Sequence, residues 1–212
     1  MLRILLIFFS TSLIAGCSVV GIRSSYEQPS FDLIDELNSY TYIRRVPSLL
    51  VAETTVDIAD YDQSRNVAFK RLFNYISGSN RTQSDIEMTV PVESSYISEQ
   101  ISMTAPVESI RTAEGQMRMR FFLPAEYSYQ TAPKPTDQNV NLVKIPAQSQ
   151  AVLRFNGQAN ESIVESKTLE LLKILDNSGW GIIGDPSAYF YDPPWTISIF
   201  RRNEIVISVI KK

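Results

Sequence analysis

Ile86-Glu87-Met88-Thr89-Val90-Pro91-Val92-Glu93-Ser94 is followed by Ile101-Ser102-Met103-Thr104-Ala105-Pro106-Val107-Glu108-Ser109. The second copy repeats the first at a distance of 15 residues. Ile86, Met88, Val90 and Val92 share one parity, as do Ile101, Met103, Ala105 and Val107. Alternation with period two sends each apolar set to one face of a strand. Proline lacks a donor N–H, so each strand is expected to be edge-like or bulged at Pro91 and Pro106.

Outward from the doublet the same patterns continue. Residues 116–123 alternate Met117, Met119, Phe121 and Leu123 against Arg118, Arg120 and Phe122, which predicts a third strand and a thioether-rich interior. Further strands are expected at 30–37, 40–46, 49–56, 140–145, 149–155, 187–191, 196–200 and 204–210. Residues 61–77 predict a helix capped by Asp62 or Ser64 and closed by Gly78. Phe69, Leu72, Phe73 and Ile76 form its apolar stripe at i, i+3, i+4, i+7 spacing. Residues 160–176 predict a second helix, with Ser162 and Glu165 as a capping box and Val164, Thr168, Leu171 and Leu175 as its buried face. Val46-Pro47 followed by strand, helix and strands recurs as Ile145-Pro146 with the same sequel, 99 residues later. The fold class is therefore α+β, with two β-α-β-β-like halves.

The chain has 212 residues, a net charge of −3 and 20% charged residues, the composition of one globular domain. No broad basic field exists, which argues against nucleic acid as a partner. The N-terminus reads differently. Met1-Leu2-Arg3 precedes an apolar run over residues 4–14, too short to span a bilayer and laid out as a secretory signal. The run ends Leu13-Ile14-Ala15-Gly16-Cys17, which looks like a bacterial lipobox; Cys17 is the chain's single cysteine. The expectation is a signal peptide over 1–16, a lipidated tether over 17–28 and a domain over 29–212. Acylation of Cys17 would anchor the chain to a membrane without a transmembrane helix. Ser18 follows the cysteine, where enterobacterial lipoproteins kept at the inner membrane carry Asp. This points to the outer membrane, facing the periplasm.

Met-Thr-X-Pro-Val after a helix ending Arg71-Leu-Phe-Asn-Tyr75-Ile-Ser-Gly78-Ser-Asn80 resembles the SOUL family of haem-binding proteins. Phe121-Phe-Leu-Pro124, Pro133-Lys-Pro135, Val152-Leu-Arg154-Phe155-Asn-Gly157, Tyr191-Asp-Pro-Pro194 and Arg201-Arg-Asn-Glu204 keep the family's order. The resemblance implies a distorted antiparallel β-barrel with two flanking helices. It also implies a tetrapyrrole, or another flat hydrophobic small molecule, in a cleft between the first helix and the loop after Pro194. By position the wall would be Phe69, Leu72, Phe73 and Ile76, with Tyr191 and Trp195 from the loop. Arg65, Lys70 or Arg201 would meet the carboxylates.

Two departures bear on haem as cofactor. Vertebrate members that bind haem carry a basic residue where this chain has Thr196. Some use a histidine ligand, and this chain has no histidine, which also excludes a histidine base and histidine-bound zinc. Tyr75, Tyr191, Met88 and Met103 are then the candidates for iron. Arg201-Arg202-Asn203-Glu204 reads either as a propionate site or as a turn closed by arginine bonds to backbone and to Glu204. Acids lie on the polar parity of strands, where solvation is their expected role. No glycine-rich phosphate loop and no nucleophile or acid-base motif stands out, so the chain reads as a non-enzymatic binder. The rival readings are an envelope scaffold whose cleft is filled by its own side chains, and an enzyme acting on a tetrapyrrole.

Overall fold

Alternating strands and two amphipathic helices recur as expected in the computed structural model, which describes residues 21, 23–24, 26–57, 60–82 and 97–212. In chain order these are β1 (Asp32–Asn38), β2 (Thr41–Val46), β3 (Leu49–Asp57), helix α1 (Tyr61–Ile76), β4 (Asn80–Arg81), β5 (Val107–Arg111) and β6 (Gln116–Phe122). There follow β7 (Lys134–Pro135), β8 (Asn141–Ile145), β9 (Gln148–Asn156), helix α2 (Glu161–Asp176), β10 (Trp180–Ile182), β11 (Ser187–Phe190), a 3₁₀ turn (Ser198–Phe200) and β12 (Arg202–Lys211). Apart from the small β4-β7 pair, the strands form one antiparallel sheet in the order β1-β2-β9-β12-β11-β5-β6-β3-β8, with β10 added beside β12.

The internal echo is a structural pseudo-twofold. β3-α1-β5-β6 and β9-α2-β11-β12 have the same topology, with nine-residue first strands and sixteen-residue helices in both. The halves meet where β11 pairs with β5, and each half's first strand takes an extra partner from the other side: β8 on β3 and β2 on β9. Helix α1 packs on β3 and β6, and α2 on β9, β10 and β12. The two central strands therefore lie between the helices.

Period two puts Ile43, Ala151, Leu153, Ile205 and Ile207 under α2, and Ala52, Met119 and Phe121 under α1. The opposite face is not left to water. Val51 and Phe122 from one wing meet Val152 and Val206 from the other, with Tyr189 and Tyr191 between. The sheet curls until its second face is also a core, giving an open, distorted barrel with two flanking helices. This is why Phe122, on the polar parity of β6, is buried alongside Met117 and Met119 on the other parity.

Several local expectations are corrected. Asp60, not Asp62 or Ser64, caps α1 by accepting from Gln63 N at 2.8 Å. Asn160 caps α2 by accepting from Ile163 N, and Ser162 bonds to that cap instead of forming a box with Glu165. Residues 196–200 end in the 3₁₀ turn instead of a strand. The first copy of the doublet, with Met88, lies outside the described residues. The second copy pairs only from Val107 onward. Before it, Ile101 N donates to Ile76 O, Ala105 N donates to Glu27 O and Thr104 Oγ1 to Phe122 O, so those groups tie the segment to the helix end and the N-terminal chain, not to a ladder.

The N-terminal segment is itself engaged by the domain. Tyr26 packs into the barrel core, and Glu27 accepts from Ala125 N through its side chain. Folded structure thus starts before residue 29. Replacing Asp60 by alanine removes an N-cap worth about 1 kcal/mol. The expected result is a melting temperature about 2–4 °C lower by differential scanning calorimetry.

Candidate functional site

The stripe on α1 divides. Leu72 and Ile76 are buried in the core with Ala68 and Tyr75, because they point straight down at β3 and β6. Their packing leaves them no face for a ligand. Phe69 and Phe73 sit on the helix flank, 37% and 45% exposed, with ring centroids 6.0 Å apart and planes only 13° from parallel. Phe69 also sets its ring against buried Phe121 at 5.2 Å, edge to face, which fixes the pair to the sheet.

Arg65 lies one turn earlier on the same side, following the i, i+4, i+8 spacing of Arg65, Phe69 and Phe73. Its guanidinium stands 4.6 Å over the Phe190 ring and reaches Ala159 O at 3.5 Å. That places this flank of α1 toward the central strands, where Val107, Ser109, Ala188 and Phe190 face the helices. Arg111 pairs with Glu161 at 2.5 Å and ties β5 to the start of α2. Phe69 and Phe73 thus stand on the flank of α1 that is turned toward these central strands. Lys70 is exposed on the same helix.

The loop after Pro194 belongs elsewhere. Its described ties run to the N-terminal segment, through Arg23 Nη2 to Asp192 at 2.7 Å and to Phe200 O at 2.5 Å. Arg201 donates to Thr196 O at 2.8 Å and Pro194 O at 2.5 Å, so this cation is spent on the loop's own backbone. Asp192 accepts from Arg202 N and closes the turn. Trp195 projects outward at 64% exposure. The turn reading of the arginine run is the one realised, with Arg201 taking backbone and Arg202 taking Glu204.

Tyr191 points into the barrel. Its hydroxyl donates to Glu204 Oε2 at 2.7 Å, and Arg202 lies over its ring at 4.1 Å. Glu204 is fully buried and also accepts from Arg44 at 3.1 Å, from Arg202 and from Tyr42. Burial pushes its carboxyl up, but Arg44 and Arg202 outweigh that and hold it below the usual carboxylate range. A second buried acid, Glu108, pairs with Arg120 at 3.3 Å, yet burial dominates and raises its pKa. In register, Glu204, Tyr189, Glu108, Arg120 and Glu53 form one row across β12, β11, β5, β6 and β3. Sequence reasoning assigned such acids to solvent. Alternation alone cannot tell a wet face from the inside of a curl; the paired signs of the Arg-Arg-Asn-Glu run were the available signal.

Beside this cluster lies a cavity of about 20 Å³, lined by Phe31, Arg44, Phe122, Gln150, Tyr189 and Arg202 among others. It has room for about one water. A tetrapyrrole does not fit there.

The candidate iron ligands fare no better. Tyr75 OH is buried and donates to Pro133 O at 2.8 Å, Tyr191 is committed to Glu204, and Met103 is half-buried against the α1 core. Among the described residues no group of histidine, cysteine, aspartate and glutamate is placed to hold a metal. Among the described residues the candidates do not fit an axial ligand set.

Comparison with known proteins agrees with this architecture. The profile of the SOUL heme-binding protein family matches residues 26–208, and the chain belongs to that family. Human Heme-binding protein 2 is 25% identical over 156 residues, covering 72% of this chain and 69% of that protein. Among solved structures, the C-terminal domain of EcmrR superposes with a TM-score of 0.59 at 12% identity, over 81% of this chain and 98% of that one. A conserved protein from Listeria innocua gives 0.52 at 11% identity, over 80% and 92%. At such identities these two likenesses speak for the fold alone.

Proposed function

We propose that this chain is a lipid-anchored binding protein that holds haem, another tetrapyrrole or a similar flat apolar molecule against the Phe69–Phe73 flank of α1, in a trough between α1 and α2. The observation that carries the reading is the exposed, nearly parallel Phe69–Phe73 pair. The two rings are adjacent, fixed to the sheet through Phe121 and still partly exposed, so they offer one apolar surface that a ligand can cover. A macrocycle lying on them gains roughly 25 cal/mol per Å² of apolar surface withdrawn from water, with offset ring contact adding to it. Lys70 and Arg65 stand on the same helix to meet carboxylates. Family membership, and the name of the human relative, Heme-binding protein 2, support the same ligand class.

Haem would supply iron redox or ligand chemistry if its metal were held. In this reading the protein grips the macrocycle's face and rim and leaves the metal alone. Retention at a membrane rests on the lipobox: Cys17 would carry the diacylglycerol, with the domain on the periplasmic side of the outer membrane.

Titrating the full chain with hemin and with metal-free protoporphyrin tests the proposal. Both are expected to bind saturably at micromolar concentration, with dissociation constants within about tenfold of each other, since no metal bond separates them. Saturable binding of hemin alone would restore an iron ligand; binding of neither would remove the proposal.

A further inference from the structure

The loop formed by residues 195–200 is built inside out. Along it Thr196 is buried and Ser198 half-buried, while Trp195, Ile197, Ile199 and Phe200 are 64%, 47%, 67% and 44% exposed. A solvent loop normally turns its hydroxyls out and its aliphatic groups in. Here four large apolar side chains project from six residues, and the small polar ones face the protein. The loop is nonetheless held firmly. Arg201 bonds the carbonyls of Pro194 and Thr196 from one end, and Arg23 bonds Asp192 and the Phe200 carbonyl from the other. A fixed, outward apolar surface calls for an apolar medium.

The position of the loop says which medium. Gly21, at φ +75°, lies so close that a Cβ there would come within 2.8 Å of Phe200 O. The chain before Gly21 leads back to Cys17 in four residues, a reach of at most about 14 Å when fully extended. The residue expected to carry acyl chains and the surface presenting Trp195 are therefore constrained to the same end of the molecule. Tryptophan with aliphatic neighbours on a short loop is the side-chain set that settles at a bilayer interface.

We propose that Trp195, Ile197, Ile199 and Phe200 insert into the lipid surface, giving the domain a second membrane contact and a fixed orientation. The inference rests on the anchoring reading for its geometry and adds a site that the lipid anchor does not require. The trough with Phe69 and Phe73 is a separate surface, so ligand binding and membrane docking are separable by mutation.

The test uses the full chain with phosphatidylcholine vesicles whose acyl chains are brominated. Trp180, buried and donating to Asp35, serves as the internal reference. Trp195 emission is expected to shift to the blue and to be quenched by bromine, in 1 M salt as well as in low salt. Trp195→Phe should abolish that signal. Ile197→Ser and Ile199→Ser should each lower the ratio of inserted to free loop by about tenfold. Both positions are exposed, so the fold is expected to stand, which a circular dichroism melt checks. Mass spectrometry of Cys17 reads the anchor independently. An acylated chain whose Trp195 stays unquenched overturns the insertion and leaves the anchor. A chain without acyl whose Trp195 is quenched supports insertion and removes the anchor; neither signal overturns both.

Discussion

Replacing Glu204 by glutamine should cost about 3–5 kcal/mol of folding stability, a large part of what a domain has. The charge it removes is the only described partner in the ion pairs of both Arg44 and Arg202, and Arg44 has almost no access to water. Two guanidinium groups would remain in the barrel without a counter-charge. The Tyr191 and Tyr42 hydroxyls would face a neutral amide where a carboxylate accepted from them. Replacing Arg44, Arg202 and Glu204 together by Met, Met and Leu, with Tyr191→Phe to remove the hydroxyl left without its acceptor, should recover most of the loss, because this cluster then holds no unpaired charge. Urea unfolding of the three proteins provides the measurement. A loss below about 1 kcal/mol for Glu204→Gln would mean that water reaches the cluster after all.

The sign of the pH dependence follows. Glu204 has a depressed pKa in the fold, so its contribution is complete above the unfolded glutamate value of about 4.3 and fades as pH falls through the folded value. Glu108 has a raised pKa, so its contribution is complete below that unfolded value and is lost as pH rises through the folded one. The two acids oppose each other. Wild type should therefore weaken in acid through Glu204, and the Glu204→Gln variant should lose that part of the slope and keep the opposite trend from Glu108.

The second large effect concerns the ligand. Phe69→Ala with Phe73→Ala should weaken protoporphyrin binding roughly 10- to 60-fold, since a ligand withdraws from water only the exposed 37% and 45% of the two rings, roughly 0.6–1.2 kcal/mol each. Half-exposed rings contribute less to folding than to a ligand laid across them, so the stability loss should be smaller than that of Glu204→Gln. Leu72→Ala provides the contrast. It opens a core cavity costing about 2–5 kcal/mol yet touches no ligand, so binding by the folded fraction should persist. Equal affinity in wild type and the double variant would move the site off α1.

Much of the fold could be read from local chemistry. The parity of Met117, Met119 and Phe121, the apolar stripe of each helix and the 99-residue echo led to the strands, the helices and the twofold halves. The failures share a cause. Alternation records which side chains share a face, but whether the second face meets water depends on curling, which involves Val51 and Val152 from opposite wings. Glu108 and Phe122 were therefore misjudged together, and Glu204 was read as an arginine partner without its burial. The caps Asp60 and Asn160 were missed because nearby Asp62 and Ser162 satisfy the same local pattern. On α1, the sequence grouped Phe69 and Phe73 in one stripe with Leu72 and Ile76. A 3.6-residue period separates buried centre from exposed flank only once the crossing of α1 over β3 and β6 is known. The Pro-Pro loop was assigned to the same cleft, whereas Arg23 fastens it to the N-terminal segment and Arg201 closes it on its own backbone.

Ring-current shifts test the central claim most directly. In a ¹³C spectrum of the full chain labelled at phenylalanine and tyrosine, saturating protoporphyrin should move Phe69 and Phe73 strongly while Phe122 and Tyr189 in the barrel stay in place. Shifts centred on Phe122 and Tyr189, or no shifts at all, would contradict the trough between the helices as the binding site.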